Sequence, residues 1–164
     1  MSPASANRLP AEMESIPAWR RSLGEYDRSG CHFELCLDAG ELLSAVRLLF
    51  DHGYFMEDLT GVDVAEGIML VYHFDRYEAA QRVALRLTVP HDAKIAPSIA
   101  AIFSGADWHE RECFDFFGVE FENHPGLKPL LLPDDFDRHP LIKEKDRRSI
   151  YALLPLAQAV ETRD

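Results

Sequence analysis

The chain has 164 residues, 47% of them hydrophobic and 27% charged, with a net charge of −11 at neutral pH. This is the size and composition of one ordinary globular domain, able to bury roughly two-thirds of the surface its unfolded form exposes without a disulfide or metal. The acidic balance excludes phosphate-backbone recognition, which needs clustered Lys and Arg, and disfavours direct attachment to an anionic membrane surface.

Residues 1–28 are polar and interrupted by Pro3, Pro10 and Pro17. They read as a flexible or partner-bound lead, and the amphipathic stretch 16–23 fits a short helix. The start of the chain lacks the pattern of a secretory signal, and no apolar run reaches the ~20 residues that a membrane-spanning helix needs. Over 31–37, Phe33, Leu35 and Leu37 alternate with Glu34 and Cys36, the pattern of a half-buried strand. Asp38 and Glu41 then form a capping box for a helix through Leu42, Val46 and Leu49 that stops at Gly53. Residues 54–62 are extended, with a bend or bulge expected at Gly61. Residues 68–74 are continuously apolar and 82–89 alternate, which predicts a hairpin pair closed by Pro90.

A short helix is expected over 95–103, with Pro97 in its first turn. A second is expected from an Asp107 cap and a Glu110 capping box to Phe117, stopped by Gly118, followed by a short strand over 119–121. The predicted fold is α+β: a mostly antiparallel sheet of about four strands with helices on one face, occupying 29–121. Residues 122–164, with Pro125, Pro129, Pro133 and Pro140 in their first half, read as an extended proline-rich arm and tail.

The helix over 107–117 is the unusual part. Trp108, Glu112 and Phe116 share a face, so Glu112 is expected to be partly buried between two aromatics, with Arg82, Arg86 or another chain as partner. Arg111 and Asp115 stand four apart, at ion-pairing distance on a helix. His109, His124 and His139 are too widely spaced to sit on one helix and no nearby pattern resembles HExxH, so no metal site is expected. Cys31, Cys36 and Cys113 are odd in number and lack a CxxC pair, so inert thiols are the expectation. No nucleotide-binding loop or hydrolytic triad is visible.

Glu110, Arg111, Glu112, Asp115, Phe116, Phe117, His124, Lys128, Leu130 and Leu131 fill every constrained position of a known pattern. It resembles the signature of the 30-kDa subunit of respiratory complex I, the NADH-quinone oxidoreductase. Residues 59–63, 71–73, 104–108 and 132–141 extend the resemblance, which covers roughly 31–143. It implies a subunit without catalytic, cofactor or metal sites of its own, peripheral on the cytoplasmic side of the inner membrane. FMN, iron–sulfur clusters and quinone would belong to other subunits. Its implied partners are a hydrogenase-like large subunit, which it would hold, and a small iron–sulfur subunit. In this reading Glu110, Arg111, Glu112, Asp115, Phe116, Phe117, Gly118, His124 and Lys128 make a docking helix and its surroundings. The chain lacks the aromatic that usually follows the second His-Pro, at His139-Pro140. The alternative is the equivalent subunit of an energy-converting NiFe hydrogenase, a formate hydrogenlyase or an F420H2 dehydrogenase.

Overall fold

A computed structural model describes residues 11–24, 26–78, 81–133 and 135–143. Five strands form the main sheet: β1 (Arg20–Leu23), β2 (Phe33–Cys36), β3 (Phe55–Val64), β4 (Gly67–Asp75) and β5 (Val83–Val89), in the order β1-β2-β5-β4-β3. Two more, β6 (Ile95–Pro97) and β7 (Glu120–Glu122), pair separately and in parallel. Short helices α1 (Ala11–Glu14) and α2 (Tyr26–Ser29) flank β1 in sequence. The longer α3 (Leu42–Asp51) follows β2, and α4 (Ala106–Phe117) links β6 to β7.

The alternation read in β5 is real. Val83, Leu85, Leu87 and Val89 are buried on the helix-bearing face, together with Ile68, Leu70, Tyr72 and Phe74 of β4. Leu42, Ala45, Val46 and Leu49 of α3 complete that core at helical spacing. The other face carries a small cluster of Cys31, Val71 and Ala84, and polar pairs such as Arg86–Glu34 and His73–Asp58.

Several expectations are corrected. The sheet is mixed, because β2 pairs with β5 in parallel, aligning Phe33 with Val83 and Leu35 with Leu85. Alternation tells which face a strand buries, but not which neighbour it takes. Residues 20–23 form a strand rather than the end of a helix, since the backbone is taken up by β2 and Trp19 N–H donates to the Cys36 carbonyl. The adjoining Met13 and Ile16 are buried in the core. Residues 95–103 are a strand and a turn, because Ser98 N–H donates to the Glu122 carbonyl and so fixes the register with β7. The bulge in β3 falls between Met56 and Asp58, not at Gly61.

The proline-rich segment does not extend as an arm over its described part. Residues 123–143 fold back over α4 and reach β3, where Lys143 N–H donates to Asp63 Oδ2 at 2.7 Å. The prolines shape a strap that closes on the domain's own donors and acceptors. Residues 144–164 of the expected arm and tail lie outside the described residues.

Candidate functional site: helix α4 and its strap

Ala106, Glu110, Cys113 and Phe117 make the buried stripe of α4. This is a regular helical spacing with an acid inside it. The stripe packs on β3 at Gly61, where an added Cβ would stand 2.6 Å from the Phe117 ring. The helix ends at Gly118, whose φ of 70° is left-handed. Its α-carbon lies so near the His139 ring that an added Cβ would be 2.5 Å from Nε2. The N-cap is Gly105, with no side-chain cap, so Asp107 belongs to the first turn rather than to the cap.

Glu110 is not a capping residue. It is fully buried, accepting the Ser98 hydroxyl at 2.6 Å and the Ile99 N–H at 2.7 Å. Burial pushes its carboxyl up to about 7, against the opposing pull of those two bonds. Beside it, His124 accepts the Gly126 N–H on Nδ1, which leaves the proton on Nε2, 3.2 Å from the Asp107 carbonyl. The same Nε2 is 3.7 Å from Glu110 Oε2. Glu110 thereby joins α4 to the turn after β6, and His124 joins it to the start of the strap.

Asp115 and Arg111 do not pair with each other, because both are spent on the strap. Arg111 donates to the carbonyls of Lys128 at 3.1 Å and Pro129 at 3.0 Å. Asp115 Oδ2 accepts the N–H groups of Leu130, Leu131 and Leu132 at 2.9, 2.7 and 3.1 Å. The cation takes two backbone acceptors and the anion takes the next three donors, so one turn of helix grips five consecutive residues. Lys128 enters through its carbonyl, and its side chain is exposed. Further along, His139 Nδ1 donates to the Asp115 carbonyl and Leu141 N–H to the Phe116 carbonyl.

Glu112 is exposed, contrary to expectation, and so is Trp108, whereas Phe116 is half-buried. The face judged by its aromatics is the outward one. Arg86 and Arg82, the expected partners of Glu112, pair instead with Glu34 and Glu57. Sequence reading also missed Ser98 and a second buried acid system. Asp63, 1% exposed, accepts Lys143 N–H and faces His91 Nε2 at 2.7 Å. The available signal for Asp63 was its place at the end of the 59–63 motif, in a strand that also carries Glu57 and Asp58.

Burial pushes the Cys113 thiol up to about 12, against a bond from Gly61 N–H, so it stays protonated at neutral pH. Burial also raises Cys31 and Cys36. Among the described residues no three His, Cys, Asp or Glu side chains group as metal ligands. Nor is any described helix long and apolar enough to cross a membrane. A hollow of about 610 Å³ lies on the far face of the sheet, lined by Trp19, Glu34, Cys36 and Arg86 among others, away from the α4 acids. What the α4 arrangement does chemically is hold: its buried carboxylates accept from hydroxyl and amide donors of the chain itself.

Residues 35–151 match the family described as respiratory-chain NADH dehydrogenase, 30 Kd subunit. The C subunit of NADH-quinone oxidoreductase from Chloroherpeton thalassium is 37% identical over 107 residues, covering 64% of this chain and 43% of that protein. The C subunit of the Rhodopseudomonas palustris enzyme is 38% identical over 117 residues, covering 67% and 57%. The match to the first thus spans less than half of that relative's length, and to the second somewhat more than half. In fold, the chain is similar to one in the membrane-bound sulfane sulfur reductase, an archaeal respiratory membrane complex. The TM-score is 0.69 at 24% identity, covering 93% of this chain and 91% of that one. It is also similar to the trypsin-resistant fragment (1-134) of Nqo5, with TM-score 0.53 at 22% identity, covering 66% and 89%. The family match runs from β2 through α4 and the strap, so the acids that lock this helix lie inside it, and the chain belongs to the family of the 30-kDa subunit of respiratory-chain NADH dehydrogenase.

Proposed function

We propose that the chain is a non-catalytic subunit in the peripheral arm of a complex I-type NADH-quinone oxidoreductase. Its role is to hold a hydrogenase-like large subunit against a small iron–sulfur subunit while electrons pass from NADH to quinone. FMN, the clusters and quinone are carried by other subunits, and the chain sits on the cytoplasmic side of the membrane through the complex. The observation that carries this reading is the use made of the α4 acids. Asp115 gives one oxygen to three backbone N–H groups, and Glu110 takes a hydroxyl and an amide of its own chain. A catalytic carboxylate needs reach to a substrate proton, whereas these acids rigidify a helix and its strap. Rigid elements with outward side chains are what a positioning subunit requires.

The test is purification of the tagged full chain at native expression. The expected result is recovery with a hydrogenase-like large subunit, in a preparation that contains FMN and oxidises NADH. Recovery of the chain alone overturns the proposal. Nickel in place of FMN moves the chain to the energy-converting hydrogenase alternative.

A further inference from the structure

The outward face of α4 carries an exposed aromatic and an acid one turn apart. Trp108 is 66% exposed. Glu112 follows it one turn later and Phe116 another turn on, so an exposed carboxylate stands between two aromatics over roughly 12 Å of helix. Glu112 has no hydrogen bond or ion pair among the described residues. The acids Glu34 and Glu57 are paired, with Arg86 and Arg82 respectively. The cation next to it on the helix, Arg111, is committed to the Lys128 and Pro129 carbonyls. Beside Glu112, a hollow of about 100 Å³ is lined by Leu59, Cys113, Phe116 and Leu141. It is well below the roughly 300 Å³ of small-molecule sites, but it can seat one side chain.

We infer that the Trp108–Glu112–Phe116 face of α4 docks an arginine-bearing segment of a protein partner in the same complex. The inference rests on the assembly reading above and names the surface that performs it. A guanidinium matches a carboxylate with two parallel N–H donors and also stacks on aromatic faces, which an ammonium does less well. Tryptophan and arginine are the residue types that anchor protein interfaces, and an apolar side chain flanking the arginine would enter the hollow. The complementarity is direct: an exposed anion flanked by aromatics, and unpaired among the described residues, matches one cation with a flat, weakly hydrated head.

The experiment uses the full chain in its native complex. Glu112→Lys is expected to cut co-purification of the partner subunits at least tenfold, with the melting temperature of the free chain unchanged. Trp108→Ala should weaken it less. A photo-crosslinking amino acid at position 112 should capture a peptide containing an arginine from one partner subunit, and reversing that arginine should restore assembly with Glu112→Lys. Normal assembly of Glu112→Lys overturns this inference and leaves the assembly reading standing. Lost assembly with a lowered melting temperature overturns it too, because Glu112 would then serve the fold. A crosslink between two copies of this chain replaces it with self-association. Recovery of the wild-type chain alone overturns both readings.

Discussion

Removing the Asp115 carboxylate should detach the strap while leaving the sheet intact. Asp115 is 3% exposed, and Oδ2 alone accepts three backbone N–H groups at 2.7–3.1 Å. A hydrogen bond to a charged group contributes about 1.5–3 kcal/mol, but bonds sharing one acceptor do not add. The freed amides also recover some water, since Leu131 is 61% exposed. Asp115→Ala should therefore cost about 3 kcal/mol. Asp115→Asn can still place an oxygen where Oδ2 stands but loses the charge that strengthens the three bonds; it should cost about 2 kcal/mol. Glu112→Gln, on the same helix but exposed, should stay within ~0.5 kcal/mol of wild type. Urea titration of the full chains measures all three, and limited proteolysis should show faster cleavage within 124–143 in the Asp115 variants only. A loss below ~1 kcal/mol in Asp115→Ala, or equal losses for the Asp115 and Glu112 amides, would refute the clamp.

Glu110 predicts a pH signature. Its folded carboxyl is raised from 4.5 to about 7, so the stability it contributes is full below its unfolded value and is lost as pH rises through the folded one. Relative to Glu110→Gln, the wild type should lose roughly 3 kcal/mol between pH 4.5 and 8, and parallel stability curves would remove the claim that burial dominates there. Gly61→Ala tests the helix–strand approach: with Cβ placed 2.6 Å from the Phe117 ring, it should destabilise by about 1–3 kcal/mol. Phe117→Leu in the same chain should recover part of that loss in thermal melts, and no recovery would locate the strain elsewhere.

The sheet is legible in sequence where one face alone decides a strand. Val83, Leu85, Leu87 and Val89 alternate because only their side meets helices, and α3 shows the spacing of a helix lying on that side. The parallel β2–β5 pairing is not legible, because an alternating strand is satisfied equally by either neighbour direction. The orientation of α4 misleads for a sharper reason. Its aromatics Trp108 and Phe116 suggest a buried face that would take Glu112 with it, whereas the close approach of Phe117 to Gly61 turns the stripe Ala106, Glu110, Cys113 and Phe117 inward. Matching each acid to a cation also misleads, since Glu110 and Asp115 are met mainly by backbone amides, which leave no mark in side-chain composition. The signature residues do gather as a group around α4. What each one touches depends on a strap whose path no periodicity records.

That strap has a consequence for the order of events in synthesis. Asp63 meets Lys143 across 80 positions of chain, and Asp115 meets Leu130–Leu132 across 15 to 17. The first spans more chain than the 50 positions between Phe33 and Val83 in the sheet, so it closes late, after the entropy of the intervening loop has been overcome. Until residue 143 has left the ribosome, Asp63 has neither the amide nor the ammonium that Lys143 brings to it. The nascent domain is therefore a sheet awaiting the Asp63–Lys143 closure, and quality-control proteases would meet it with the far end of the strap still unfastened.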